Sequence, residues 1–226
     1  PFQAEDGIRD ARSSLVGSEM CIRDRNDVVL ATVAGALDRF FDARGHRLDK
    51  PLIASVPMAV STPNEAPREA GNRVANLFTS LCNDVRDPLE RLQKIHAITE
   101  QAKEVQQQLG METMLDWSEA LPAAAYRWIL GAYSHSGLSD VVPPPANLIV
   151  SNVRGPDRPL YVAGAKLRTI YSVGPAVEGI GLNITGWSYC GEIAFSLIAD
   201  AAAIPDPHFI TDSLRPALDD LIRASL

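Results

Sequence analysis

Histidine is the side chain best suited to act as a general base near neutral pH, and the sequence contains four of them. They are His46, His96, His135 and His208, and no two are adjacent. His208 stands four residues before Asp212, but the surrounding pattern predicts a helix, in which positions i and i+4 share a face. We therefore interpret His208 and Asp212 as a surface pair, and we predict no catalytic residue among the histidines.

Neither a metal site nor a cofactor site is predicted. The three cysteines, Cys21, Cys82 and Cys190, stand too far apart for a metal motif, and reduced thiols in a cytosolic protein are expected. The glycine-rich run at 174–186 is followed by a strand pattern, whereas a dinucleotide-binding turn needs a helix there. The Gly-x-Ser-x-Gly elbow of a serine hydrolase does not occur in the sequence.

Asn183 and Thr185 alternate with Leu182 and Ile184, which predicts a strand with one apolar and one polar face. The polar face could line a tunnel or face solvent, and the sequence alone leaves both interpretations open.

Composition limits the class of protein. Of 226 residues, 46% are hydrophobic and 22% charged, with a net charge of −7, as in an ordinary globular protein. An acidic chain with no run of Lys or Arg is a poor candidate for binding nucleic acid. The longest stretch without a charged residue, 51–64, is too short to span a bilayer, which takes about 20 apolar residues.

Residues 1–25 differ from the rest of the chain. They have no sustained helical or strand periodicity, and Ile-Arg-Asp occurs twice, at 8–10 and at 22–24. We interpret 1–25 as a non-native or disordered segment and exclude it from the fold. Residues 26–226 are expected to form the domain. We expect the native sequence to start near Asn26, in the middle of a longer protein.

The pattern after residue 25 predicts a mixed α/β layer structure. Strands are predicted at 51–61, 72–81, 147–153, 166–173, 180–188 and 193–198, and helices at 26–45, 87–110, 113–133 and 206–223. Asn26 or Asp27 is predicted to cap the first helix. Cys190 and Gly191 should join the last two strands as a hairpin, and Pro216 should kink the last helix.

Five blocks of residues carry a family resemblance. They are Asn26-Asp27-Val28-Val29-Leu30-Ala31 with Ala34-Gly35-Ala36-Leu37, Gly71-Asn72-Arg73-Val74, Asp87-Pro88 with Arg91-Leu92, Ser151-Asn152-Val153-Arg154-Gly155-Pro156, and Gly181-Leu182-Asn183-Ile184-Thr185 with Ser188-Tyr189, Gly191, Asp200 and Pro205-Asp206. In this order they resemble the C-terminal domain of wax ester synthase/diacylglycerol acyltransferases. Arg154 departs from the family's turn, which has proline there, although Gly155-Pro156 still predicts a turn.

The resemblance implies the α/β fold of CoA-dependent acyltransferases, the chloramphenicol acetyltransferase and condensation-domain type, as a C-terminal half with a mixed sheet and flanking helices. It implies transfer of a long-chain acyl group from acyl-CoA, a substrate, to a diacylglycerol or a fatty alcohol, with no cofactor. It also implies substrate-binding roles for residues of the matching blocks, with Asn26 as a candidate accessory to catalysis. These residues are Asn26, Asp27, Asn152, Gly155, Asn183 and Thr185.

The family's base is the second histidine of a His-His-x-x-x-Asp-Gly motif in the N-terminal half, and this sequence has no such motif. We therefore expect the chain alone to be inactive and to need that half as its partner. A cytoplasmic location, peripheral to a membrane or to lipid inclusions, is also expected. Two other interpretations stay open: a non-catalytic lipid- or partner-binding module, and a condensation-type domain, which shares the fold.

Overall fold

The computed structural model describes residues 22–59, 74–108, 145–175, 177 and 179–226. Within these ranges the chain forms three helices and seven strands. The helices are α1 (Ile22–Asp42), α2 (Pro88–Gln108) and α3 (Pro207–Ser225). The strands are β1 (Ile53–Ala59), β2 (Val74–Ser80), β3 (Leu148–Arg154), β4 (Tyr161–Val162), β5 (Ala165–Lys166), β6 (Leu182–Tyr189) and β7 (Glu192–Ala199).

Five strands form one mixed sheet in the order β2-β1-β3-β6-β7. The inner pairs, β1 with β3 and β3 with β6, are parallel, whereas β1 with β2 and β6 with β7 are antiparallel. Cys190 and Gly191 turn the chain between β6 and β7 with φ values of 50° and 86°. The predicted hairpin is thereby confirmed. The short strands β4 and β5 form a separate hairpin.

The hydrophobic core lies between one face of the sheet and the three helices. Val56, Val150 and Ile184 contribute from β1, β3 and β6, and these side chains pack with residues of all three helices, such as Leu37, Ile95 and Ile210. Burying one such side chain stabilises the fold by roughly 1.5–3 kcal/mol.

The first half of helix α1 is buried on all sides, whereas Arg39 and Asp42 near its end are exposed. Every residue from Asp27 to Ala34 is buried, because α1 packs against α2, α3 and β3. Gly35 allows α3 to approach closely, since an added Cβ would lie 3.0 Å from the Cβ of Ala217.

The helix starts follow the capping pattern for two helices and depart from it for the third. The Asp87 carboxylate accepts a hydrogen bond from the Glu90 N–H (2.8 Å) at the start of α2, and Asp206 caps α3 in the same way. Helix α3 continues through Pro216. Helix α1 begins at Ile22, so the prediction that Asn26 or Asp27 caps it is wrong.

One predicted strand does not form. In place of a strand at 166–173, only Ala165–Lys166 pairs, with Tyr161–Val162, and residues 167–175 belong to no strand. The strand pattern is present in the sequence, but a strand also needs a neighbour with which to form hydrogen bonds. The predicted helix at 113–133 lies outside the described residues. None of the described helices has the length and apolar character needed to cross a membrane.

Candidate functional site

Asp27 is the one charged residue among the predicted site residues, and it is buried, with 1% of its surface exposed. One carboxylate oxygen lies 2.8 Å from Nδ1 of His96, and the other accepts a hydrogen bond of 2.9 Å from the Thr99 hydroxyl. A buried carboxylate is tolerated only with such partners. Both partners lie on α2, so these two contacts of Asp27 hold α2 against α1. They also orient the ring of His96.

The contact of His96 with Asp27 does not follow from the sequence. Half of its side chain is exposed (50%), and Asp27 occupies its Nδ1, which leaves Nε2 as the ring nitrogen that can bind another group. A carboxylate on one imidazole nitrogen fixes the ring tautomer and prepares the other nitrogen for proton transfer. Because the partners stand 69 residues apart, no local pattern reveals the pair.

Asn26 lies in the second turn of α1, one residue before Asp27. Its side chain is half-buried, and no hydrogen bond joins it to another described residue. An amide group provides both a donor and an acceptor. Among the predicted residues, Asn26 and Asn152 are therefore the half-buried amides that no hydrogen bond joins to another described residue.

Asn152 and Gly155 lie at the end of β3. Asn152 is half-buried and stands opposite Gly186 of β6. Gly155 is buried, its N–H donates to the hydroxyl of Ser188 (3.2 Å), and an added Cβ would overlap the Ser188 carbonyl oxygen and the Trp187 ring. Gly155 is therefore needed for close packing of the turn against β6, whether or not it also contacts a substrate.

Asn183 and Thr185 lie on β6, on the face opposite Leu182 and Ile184, as predicted. Both are buried, so the interpretation of a solvated polar face is wrong. Asn183 donates to the carbonyl oxygen of Pro175 (2.9 Å), and the Thr185 hydroxyl donates to Oδ1 of Asn183 (3.1 Å). An added Cβ at Gly174 would overlap the Asn183 amide, so the chain at 174–175 lies directly on this residue.

The predicted residues form two groups on opposite faces of the sheet. Asn26 and Asp27 belong to α1, on the helical face, and Asn152 points to that same side because it neighbours Val150 at a spacing of two. Asn183 and Thr185 point to the other side. The described structure thus does not bring all the predicted residues into one site.

A second buried polar cluster lies between α1, α2 and the loop after β2. Asp38 forms an ion pair with Arg91 and accepts a hydrogen bond of 2.7 Å from Asn83. Arg91 also donates to the Val85 carbonyl oxygen, and Asn83 also donates to that of Ala34. Burial raises the pKa of Asp38, and the Asn83 hydrogen bond and the charge of Arg91 oppose this. The family block that contains Arg91 therefore has a structural role here.

The remaining titratable groups of the described residues form no metal site. No group of three or more His, Cys, Asp or Glu in the described ranges could hold a metal ion. His208 and Asp212 are both exposed on α3, but no ion pair or hydrogen bond joins the two side chains, so only their surface location matches the prediction. Burial raises the pKa of the Cys82 thiol, which favours its protonated form.

This chain is similar in sequence to proteins of an acyltransferase family. A family model described as the WS/DGAT C-terminal domain matches residues 70–222. Two putative diacylglycerol O-acyltransferases of Mycobacterium tuberculosis are 36% identical over 204 residues and 35% identical over 202, each alignment covering 88% of this chain. These alignments cover 41% and 39% of the relatives, so the chain spans about two fifths of the length of the curated relatives it matches.

A solved structure shows the same fold. It is the wax ester synthase/diacylglycerol acyltransferase from Marinobacter aquaeolei, with a TM-score of 0.65 and 28% identity over 96% of this chain and 47% of that one. The predicted mixed sheet with flanking helices, as one part of a larger acyltransferase-type fold, is thereby confirmed.

Proposed function

Because the chain belongs to the wax ester synthase/diacylglycerol acyltransferase family, we propose that it is the C-terminal part of an O-acyltransferase. The enzyme moves a long-chain acyl group from CoA to a diacylglycerol or a fatty alcohol. The observation that carries the proposal is the match of the C-terminal domain model to residues 70–222. The rest of the enzyme corresponds to the portion of the relatives that this chain does not span.

The proposed reaction exchanges a thioester for an ester. A histidine base takes the proton of the acceptor hydroxyl, and the oxygen attacks the thioester carbonyl carbon. The new C–O bond forms, the C–S bond breaks, and the sulfur leaves as the CoA thiol after it receives the proton from the base. The base belongs to the His-His-x-x-x-Asp-Gly motif of the N-terminal half, so this chain alone is inactive.

This chain contributes binding and positioning groups. Asn26 is the candidate accessory to catalysis, as the family resemblance implies, and its half-buried amide forms no hydrogen bond with a described residue. Asp27 and His96 hold that stretch of α1 against α2. We propose that the other predicted residues shape the substrate-binding surfaces that β3 and β6 contribute. They are Asn152, Gly155, Asn183 and Thr185. Because its acceptors are lipids, the enzyme works in the cytoplasm at the surface of a membrane or a lipid inclusion.

Reading the genomic DNA upstream of the Asn26 codon tests the proposal. We expect an in-frame extension of about 150–250 residues, the size of a domain, with two adjacent histidines followed by the Asp-Gly pair. A start codon with nothing upstream would contradict the proposal and would favour a non-catalytic lipid- or partner-binding module.

A further inference from the structure

The β4–β5 hairpin has an exposed tip that is apolar. Every residue from 157 to 166 is exposed, and Tyr161 and Val162 expose 64% and 66% of their surface. The two residues of the turn, Ala163 and Gly164, have φ values of 47° and 83°, and a two-residue hairpin turn of type I′ requires positive φ at both. Asparagine is favoured at the first of these positions, whereas alanine keeps the tip apolar.

The two faces of the hairpin differ in chemistry. Val162 lies opposite Ala165, and Tyr161 lies opposite Lys166. Residues directly opposite each other share a face, so one face is apolar and the other combines a phenol ring with an ammonium group. Exposed apolar side chains next to polar ones are typical of an interaction site.

The base of the hairpin is fixed to the sheet. The Tyr189 hydroxyl on β6 accepts from the Leu160 N–H (2.8 Å) and donates to the Leu167 carbonyl oxygen (3.1 Å). The Leu167 N–H in turn donates to the Leu160 carbonyl oxygen (2.9 Å), so this pair continues the apolar face of Val162 toward the base. The hairpin is therefore held in place without a binding partner, and docking costs it little conformational entropy.

The surroundings of the hairpin are cationic, although the whole chain has a net charge of −7. Four basic residues and one acidic residue lie between positions 154 and 168, which gives a local net charge of +3. They are Arg154, Asp157, Arg158, Lys166 and Arg168. Asp157 pairs with Arg154 (3.0 Å), and no ion pair joins the other three cations to a described residue. This local charge is complementary to an anionic surface.

We propose that the β4–β5 hairpin docks on the headgroups of an anionic phospholipid surface. The inference rests on the proposed function, because lipid acceptors bring the enzyme to such a surface. The cations are attracted to an anionic leaflet, and tyrosine is favoured at the boundary between membrane and water. The stem of Lys166 lies along apolar surface while its ammonium group stays among the headgroups.

The headgroup layer suits the hairpin better than hydrocarbon or a protein surface does. The outward backbone groups of a two-stranded hairpin need water or polar headgroups, so the hairpin does not enter the hydrocarbon region. A protein that covered the hairpin would have to bury cations that form no ion pair with a described residue, and burying an unpaired charge is costly. Among headgroups these cations stay hydrated.

Sedimentation with lipid vesicles tests the docking. It is measured on the full-length protein encoded by the reading frame that contains this chain. Vesicles of phosphatidylglycerol and phosphatidylcholine in equal amounts should bind the protein about tenfold more tightly, or more, than vesicles of phosphatidylcholine alone. Added salt should reduce this difference. Equal binding to the two kinds of vesicle would overturn the proposal.

Matched substitutions identify the hairpin as the contact. Lys166→Glu should weaken binding to anionic vesicles about tenfold, whereas Lys50→Glu makes the same change of charge at an exposed residue between α1 and β1 and should have little effect. Tyr161→Ser should weaken binding about threefold, and Leu226→Ser, at the exposed chain end, is its control. Because all four residues are exposed, the thermal midpoints should not change. Equal effects of Lys166→Glu and Lys50→Glu would contradict the proposal.

A tryptophan at the tip reports the location of the hairpin directly. After subtraction of the wild-type signal, the emission of Val162→Trp should shift to the blue only when phosphatidylglycerol vesicles are added. Emission that is already blue-shifted without vesicles would assign the tip to another part of the protein and overturn the proposal. Unshifted emission while the protein is bound to vesicles would place the lipid contact on another surface and overturn it as well.

Vesicle binding and acyl transfer are separate readouts. A protein that binds anionic vesicles through the hairpin but releases no CoA contradicts the proposed function only. An active enzyme whose vesicle binding is unaffected by Lys166→Glu and Tyr161→Ser contradicts the docking only.

Discussion

At the level of single residues, the buried ion pair between Asp38 and Arg91 makes the helical layer sensitive to substitution. Arg91 is buried and also bonded to the Val85 carbonyl oxygen, so it cannot move to water when its partner is removed. Asp38→Ala should therefore cost about 3–5 kcal/mol of unfolding free energy, the usual result of leaving a charge buried and unpaired. Chemical denaturation of both proteins measures this difference.

A nearby pair supplies the control. Asp42 pairs with Arg86 (2.8 Å) on the surface, so Asp42→Ala should change stability little. Asp38→Leu combined with Arg91→Met removes both charges and should recover most of the loss. If Asp38→Ala were as mild as Asp42→Ala, the cluster would not hold the helices together.

Substitution of Asn26 distinguishes a structural role of this residue from a functional one. It lies inside α1, so Asn26→Ala should not cost the roughly 1 kcal/mol lost with a helix cap, and stability should stay equal or rise slightly. In the full-length enzyme the same substitution should lower turnover about tenfold or more, because we propose that this amide lies beside the reacting groups. Thermal unfolding and CoA release measure the two effects. Turnover near that of the wild type would remove Asn26 from the site.

At the level of elements, the ion pair between Arg39 of α1 and Asp220 of α3 predicts a dependence of stability on pH. Burial raises the pKa of Asp220, but hydrogen bonds from Arg39 and Arg223 outweigh it and hold the pKa below its ordinary value. A carboxyl with a lowered folded-state pKa stabilises the fold above its unfolded pKa of about 3.9 and loses that effect as the pH falls through the folded value.

The midpoint of thermal unfolding should therefore be higher for the wild type than for Asp220→Asn at pH 6, and the gap should close as the pH falls below about 4. Because these side chains are partly exposed, added salt should also narrow the gap. A gap that stays constant from pH 6 to about pH 3 would contradict this role for Asp220.

The elements also show what sequence patterns can and cannot predict. Caps such as Asp87 and the alternation in β6 are local, so the starts of α2 and α3 and the five strands of the sheet follow from the sequence. Asp27 looks locally like a cap, but its partners stand 69 and 72 residues away on another helix. The strand expected at 166–173 does not form, also because its partner would be distant in the sequence. Strand pairing depends on a neighbour that no local pattern specifies.

The candidate site is predicted less completely than the fold. The family blocks identify Asn26, Asn152 and Gly155 as residues of interest, but their roles depend on which side chains meet in space. Gly155 is explained by its packing against Ser188, and Asn183 by its hydrogen bond to Pro175. His96 belongs to no family block, and only the packing of α1 on α2 reveals it.

At the level of the whole molecule, the described residues share one hydrophobic core, whereas we propose that the chain carries only part of the catalytic machinery. The core unites one face of the sheet with all three helices. None of the four histidines has a histidine neighbour in the sequence, and the relatives extend well beyond this chain. We propose that folding of this part and catalysis are separable: residues 26–226 fold, and the acyl transfer needs the other part.

Release of CoA from palmitoyl-CoA with hexadecanol or a diacylglycerol as acceptor tests this claim most directly. It is measured for purified residues 26–226 and for the full-length enzyme under the same conditions. We predict release above background by the full-length enzyme only, lost when the second of its two adjacent histidines is replaced by alanine. Release by residues 26–226 alone that disappears with His96→Ala or His208→Ala would contradict the account.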